Sequence, residues 1–235
     1  MPHDDRPQPV VPRQRWRIVF RRDEDARFLA HLDAMKLWER ALRRAGIPVA
    51  STEGFNPRPR IVFAAPLPLG MLAEREIVDV VLSERLTAAD LRERLGHDLP
   101  AGFALVDLYD VWLNAPSVAS QLASAAYRAE LSGADGEAVR RAVAALLAAE
   151  SVQRVRQKEK RSIAYDLRPL ILAVDVLDWD DADDGRGTIR IVLLHSQEEG
   201  TGRPEEVVAD LTERVGAALV TTRMVRERLT LVDGA

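Results

Sequence analysis

Arg15-Trp16-Arg17-Ile18-Val19-Phe20-Arg21 is the stretch on which the fold turns. Trp16, Ile18 and Phe20 alternate with Arg15, Arg17, Val19 and Arg21, the period of two expected of a half-buried strand. A helix follows over about Asp33 to Ala45, because Met35, Trp38, Leu42 and Ala45 recur at three- and four-residue spacing before Gly46 and Ile47-Pro48 stop it. After Val49-Ala50 and a loop rich in glycine and proline, the apolar run Arg60 to Ala65 reads as a second strand. Glu76 to Ser83 reads as a third, Thr87 caps a helix to about Leu95, and Phe103 to Trp112 reads as a fourth. The order is β-α-β-β-α-β.

Downstream the order repeats. Ala125 to Leu131 reads as a strand and Glu137 to Ala149 as an alanine-rich helix. Val152 to Arg156 and Leu170 to Leu177 are strand-like on either side of a basic loop, Thr188 to His195 follows, Pro204 opens a second helix, and Leu219 to Val232 closes the chain as a strand. The expected fold is therefore α+β, with two tandem ferredoxin-like units whose helices lie on one sheet face and leave the other free. Asn-Ala-Pro-Ser at 114–117 marks the boundary. This predicts a flexible leader over 1–14, which carries four prolines, a first unit over 15–116 and a second over 117–235.

The 235 residues are 47% hydrophobic and 30% charged, with a net charge of -4, the composition of a folded globular chain. There is no cysteine, so disulfides, thiol nucleophiles, zinc ribbons and an iron-sulfur cluster held by these residues are excluded. Neither a membrane span nor a signal peptide is legible, and a cytoplasmic location is expected. Four scattered histidines supply no metal-ligand spacing. Glycine-rich phosphate loops and nucleophile elbows are missing too.

Charge is nevertheless unevenly placed. Lys36, Arg40, Arg43 and Arg44 share one stripe of the first helix, and Gly54-Phe55-Asn56-Pro57-Arg58-Pro59-Arg60 joins an aromatic and two arginines in a loop stiffened by prolines. Arginine forks suit phosphate, and a pre-ordered loop loses little entropy on binding; a stiff connector with Phe55 plugging the core is the plain alternative. Lys36 to Arg60 holds six basic residues against two acidic. A second island, Arg154 to Arg168, has the same balance and includes Arg156, Lys158, Lys160, Arg161, Asp166 and Arg168. One island per unit reads as an electrostatic footprint for a polyanion, against the ordinary alternative of two solvated faces. The acidic counterpart, Asp175 to Asp184, reads as a solvated hairpin loop. His31 and Asp33 are weak candidates for acid-base work, with His195 a distant third; Asp33 is more simply a helix cap.

Phe28-Leu29-Ala30-His31-Leu32-Asp33, Glu39 to Ala45, the Gly54 to Arg60 loop, Ala64-Ala65-Pro66-Leu67-Pro68-Leu69-Gly70 and Tyr165-Asp166-Leu167-Arg168-Pro169 together resemble a bacterial family of radical-SAM-linked proteins of uncharacterised function. The resemblance spans most of the chain after the leader. One departure is Ala30, where members more often carry serine. It implies a companion, fused or encoded nearby, of a radical-SAM enzyme that carries the iron-sulfur cluster and S-adenosylmethionine, while this chain binds no cofactor. The combined reading is a non-catalytic module that positions RNA, tRNA-like or rRNA-like, through Lys36, Arg40, Arg43, Arg44, Phe55, Asn56, Arg58 and Arg60 on one wall and Lys158, Lys160, Arg161, Asp166 and Arg168 on the other. A metal-independent RNA endonuclease or RNA-modifying enzyme and a protein docking module without RNA are the alternatives. Exposed sheet edges also admit pairing with a second copy.

Overall fold

The computed structural model describes residues 13–158, 161–182, 185–196 and 200–232. Among them are eleven strands and four α-helices, an α+β fold in which most strands join one mixed sheet. Residues 13–69 and 75–121 make one unit; residues 70–74 and 122–232 make the other.

The first unit contains β1 (Gln14–Arg22), α1 (His31–Arg44), β2 (Ile61–Phe63), most of β3 (Leu72–Leu82), α2 (Ala88–Asp98) and β4 (Phe103–Val111). The strands are ordered β4-β1-β3-β2. Trp16, Ile18 and Phe20 of β1 and Val78, Val80 and Leu82 of β3 meet Trp38 and Leu42 of α1 and Leu91 and Leu95 of α2 in one core. Phe20 and Trp38 lie with ring centroids 4.8 Å apart. The buried stripe of α1 is Ala34, Trp38, Ala41 and Leu42, and Gly46, at φ 62°, turns the chain out of the helix.

The other face of this unit is not free. Arg15 and Arg17 are buried with the rest of Gln14 to Phe20, so the strand is covered on both sides where alternation predicts one open face. The chain that follows β4 accounts for it. Arg15 donates to the carbonyls of Ala115 and Pro116, Arg17 donates to Gln121 Oε1 at 2.7 Å, and both guanidiniums bind the buried Asp79 carboxylate of β3. A strand pattern records the polarity of alternate residues, and it cannot tell a solvated arginine from one that closes on a carboxylate 62 or 64 positions away. Burial works against the Arg17 cation, but the hydrogen bond and charge of Asp79, with a smaller contribution from Tyr109, hold it above the ordinary arginine value. Of the leader expected over 1–14, residues 1–12 lie outside the described residues. Gln14 is already in β1, and the Arg13 amide donates to the Leu82 carbonyl at 2.8 Å.

The second unit contains β5 (Leu122–Ser132), α3 (Gly136–Ala148), β6 (Gln153–Lys158), β7 (Arg161–Asp166), β8 (Ile171–Asp180), β9 (Arg186–Ser196), β10 (Gly200–Thr201), α4 (Pro204–Val215) and β11 (Val220–Leu231). β5 lies between β9 and β11, antiparallel to both, and β8 pairs with β9. Leu72 and Ala73, at the start of β3, pair in parallel with Val225 and Arg226 of β11, which makes the main sheet mixed. The expected basic loop is instead a hairpin: β6 and β7 pair from Gln153↔Asp166 to Lys158↔Arg161 as a separate two-stranded sheet. The strand expected over Val152 to Arg156 falls largely within β6, whereas β7 lies inside the expected loop, where basic residues mask the alternation.

Candidate nucleic-acid interface

The loop between α1 and β2 is a closed ribbon. The Ala50 amide donates to the Val81 carbonyl and the Val81 amide to the Arg60 carbonyl, at 2.8 and 3.0 Å, so both legs are clamped on one residue of β3. Ser51 and Pro59 form a bridge, Thr52 donates its amide to the Arg58 carbonyl at 2.8 Å, and the Thr52 hydroxyl accepts from the Arg58 amide at 3.0 Å. Pro57 and Pro59 fix their own φ, while Gly54 turns the tip at φ 120°, a conformation that side chains rarely adopt. Residues 52–59 are all exposed, and Phe55 is fully so; it does not plug the core. The Phe55 ring therefore stands in water on a bridged ribbon.

Lys36, Arg40, Arg43 and Arg44 are exposed along α1, as spacing predicts. They are not equivalent. Arg44 donates to the Asp98 carboxylate at 2.7 Å and to the Asp98 carbonyl at 2.6 Å, which ties the end of α1 to the end of α2. Lys36 lies 3.4 Å from Asp33 in an exposed pair that solvent renders weak. Among the described residues, Arg40, Arg43, Arg58 and Arg60 form no ion pair. Asn56 sits at the exposed ribbon tip.

Asp33 does not cap α1. The helix starts at His31, its N-cap is Ala30 in extended conformation, and no side chain accepts a cap hydrogen bond there. Asp33 is in the first turn, where its charge favours the exposed amides without closing on one. His31 meets Phe63 edge-on, with centroids 5.5 Å apart, beside Arg22 and Glu76 around a space of about 10 Å³. The Arg22 guanidinium in turn binds the carbonyls of Ala26 and Leu29, fixing the chain ahead of α1. His195 belongs to β9 of the second unit, paired with Thr201 of β10, where burial and the Arg226 charge lower its pKa.

The second island behaves differently. Arg154 donates to Asp210 at 2.7 Å and to Glu213 at 3.1 Å, and Arg156 lies over the Tyr165 ring and donates to the Thr201 carbonyl. Arg168 donates to the carbonyls of Ile171 and Leu147. The Asp166 carboxylate accepts from the Val152 and Arg168 amides, and these bonds, the Val152 one foremost, hold it below the usual carboxylate range. These groups shape the hairpin. Lys160, and the side chains of Lys158 and Arg161, lie outside the described residues. No group of acidic or histidine side chains fit to hold a metal occurs among the described residues.

A family profile described as an uncharacterized protein conserved in bacteria, DUF2344, matches residues 15–204. The chain belongs to this family. No curated protein matches it. The fold of this DUF2344 protein resembles Cbf5: it is similar to a chain in the crystal structure of a Cbf5-Nop10-Gar1 complex, with TM-score 0.55 and 8% identity over 97% of this chain and 55% of that one. An archaeal box H/ACA sRNP Nop10-Cbf5 complex (TM-score 0.46, 11% identity, 91% of this chain and 47% of the other) is more distant. So is an H/ACA RNP bound to a substrate RNA containing 2'-deoxyuridine (TM-score 0.47, 9% identity, 90% and 47%). The DUF2344 chain thus spans about half the length of the chains it matches, and the likeness is one of fold. No helix among its described residues is long and apolar enough to cross a membrane.

Proposed function

We propose that this DUF2344 protein is a non-catalytic RNA-binding companion of a radical-SAM enzyme and acts in the cytoplasm. The observation that carries the RNA half is the first unit's surface, where Arg40, Arg43, Arg58 and Arg60 have no carboxylate partner among the described residues and Phe55 is exposed on an ordered ribbon. Guanidiniums neutralise phosphates and the ring offers a face to an unpaired base. The fold agrees with this reading. We read each unit as ferredoxin-like, from the strand orders β4-β1-β3-β2 and β11-β5-β9-β8 with a helix after the first and third sheet strand of each, and a chain of similar fold occurs in the Cbf5-Nop10-Gar1 complex. The companion half rests on the family resemblance and on the lack of cysteine, which puts a radical-SAM cluster outside these 235 residues.

Fluorescence anisotropy with a labelled tRNA between 50 and 200 mM salt tests the RNA half. Affinity should fall steeply with salt, and the double reversal Arg43→Glu/Arg58→Glu should weaken binding at least about tenfold and flatten the salt dependence, since each phosphate contact adds roughly 0.7–0.9 to the log-log slope. Binding that ignores salt, or an unaffected double variant, refutes it.

A further inference from the structure

At the start of β1 and the end of β4, within the first unit, lies a cleft of about 460 Å³ that the ribbon reading does not use. Its walls are unusually well fixed. Gln14 donates to the Asp110 carboxylate at 3.1 Å and accepts from the Leu86 amide at 3.0 Å, joining three segments of chain at the floor. The buried Arg15 holds the far wall by its bonds to the carbonyls of Ala115 and Pro116. Arg13 and Arg85 are exposed at the lip and form no ion pair among the described residues. Asn114 adds an exposed amide.

Trp112 lines the same cleft and is 74% exposed. The other three tryptophans are packed. Trp16 and Trp38 are in the core, and Trp179 lies against Gly136 and Gly187 so closely that a Cβ on either would stand 2.5 Å from the indole. That contrast separates the cleft from a larger one of about 630 Å³ in the second unit, where Trp179 is spent on packing and Glu130, Asp178 and Asp180 outnumber Arg186.

We infer that the Trp112 cleft is a nucleotide site, taking a nucleobase against the indole and its phosphate between Arg13 and Arg85. The volume is within the range of small-molecule pockets, about 300–1,000 Å³. The chemistry is complementary at three points. The indole face stacks on any heterocycle, two guanidiniums that form no ion pair among the described residues suit a phosphate, and the Asn114 amide with the Asp110 carboxylate offers donor and acceptor to a base edge. The phosphate and base could arrive as a free nucleotide or as the terminal nucleotide of an RNA chain. The inference stands apart from the ribbon, which uses other residues.

Indole fluorescence reads it, because a base stacked on the exposed Trp112 quenches that ring while Trp16 and Trp38 stay shielded. The probes are AMP, UMP, inorganic phosphate and a 5'-phosphorylated hexaribonucleotide, added to the full chain, with calorimetry as the second measure. Quenching by AMP or UMP equal to that by the hexanucleotide assigns a free nucleotide; quenching at least tenfold more sensitive to the hexanucleotide assigns a chain terminus. In either case Arg85→Glu should weaken binding at least tenfold and Trp112→Ala roughly five- to hundredfold by calorimetry, while Arg43→Glu leaves it unchanged. Both substituted groups are exposed, so the variants should keep the parental melting temperature within about 2 degrees. Lack of quenching and heat with every nucleotide probe, equal affinity for inorganic phosphate, or an Arg85→Glu variant that binds as the parent does overturns the site. Loss of tRNA binding in Arg43→Glu/Arg58→Glu has no bearing on these outcomes, so the two readings fail separately.

Discussion

The two basic islands have the same arithmetic, six basic residues against two acidic, but their described arginines stand in opposite physical situations. In Lys36 to Arg60, four arginines project without a carboxylate partner among the described residues, from a helix and a bridged ribbon. In Arg154 to Arg168, Arg154, Arg156 and Arg168 are occupied by Asp210, Glu213, the Tyr165 ring and backbone carbonyls. The partners explain why local charge misleads. Asp210 and Glu213 stand 56 and 59 positions downstream of Arg154, so a window over the island counts its cations and misses what neutralises them. Available charge is a property of the folded chain.

A third situation, the buried one, gives the largest expected effect. Asp79→Ala would leave Arg15 and Arg17 buried without their carboxylate, which costs about 3–5 kcal/mol when one partner of a desolvated pair is removed. Urea denaturation followed by circular dichroism measures it. A loss under about 1 kcal/mol would mean that water reaches these guanidiniums and that β1 has an open face after all.

Arg154→Gln sharpens the contrast between the islands. Arg154 and Asp210 are 17% and 6% exposed, so losing a charged hydrogen bond to a largely buried carboxylate should cost about 1–3 kcal/mol in the same denaturation assay. Its tRNA affinity should stay within twofold of the parent, whereas Arg43→Glu/Arg58→Glu should do the reverse, leaving stability nearly intact and losing affinity. A large affinity loss in Arg154→Gln would return the second island to the binding surface.

The helix that carries Arg40 and Arg43 starts after Ala30, an N-cap without a capping side chain. Ala30→Ser should stabilise the protein by about 0.5–2 kcal/mol, because a hydroxyl there can accept from an amide of the first turn. A thermal melt measures it, and an unchanged midpoint would show that α1 is held by Trp38 and Leu42 packing alone.

Much of the fold was legible because its elements announce themselves locally. Trp16, Ile18 and Phe20 mark a strand by period, Trp38 and Leu42 mark a helix by period, and Thr87 with Asp90 forms the capping box that starts α2. What was illegible depends on distant partners or on unusual composition. Arg17 looks like a solvated strand residue until Asp79 and Gln121 are seen around it. The Arg161–Asp166 strand lies where basic residues read as a loop, and in so short a segment only Ile163 and Tyr165 mark a period of two. Trp112 reads from sequence as the end of a strand, and only its exposure beside Arg13 and Arg85 distinguishes it from a core residue. Phe55 was the opposite case, since glycine and prolines around an aromatic do signal an ordered exposed tip.

The smallest effect belongs to Glu206, the loosest of the carboxylates that face the second island's described arginines. Arg156 approaches its carboxylate only to 3.9 Å, and Oε2 has no hydrogen-bond partner among the described residues. Burial raises its pKa above the ordinary value of 4.5, and the charges of Arg156 and Arg154 only partly oppose it. A carboxyl whose folded-state pKa is raised binds its proton more tightly in the folded protein. Its contribution to stability is therefore complete below pH 4.5 and is lost as pH rises through the folded value. Glutamine cannot ionise, so the stability of Glu206→Gln relative to the parent should climb between about pH 4 and pH 7, by less than about 1 kcal/mol because solvent screens a partly exposed group. Urea midpoints at the two pH values measure it. A relative stability that falls instead would show the Arg156 pair to be stronger than its geometry, and would move the second island further from the first.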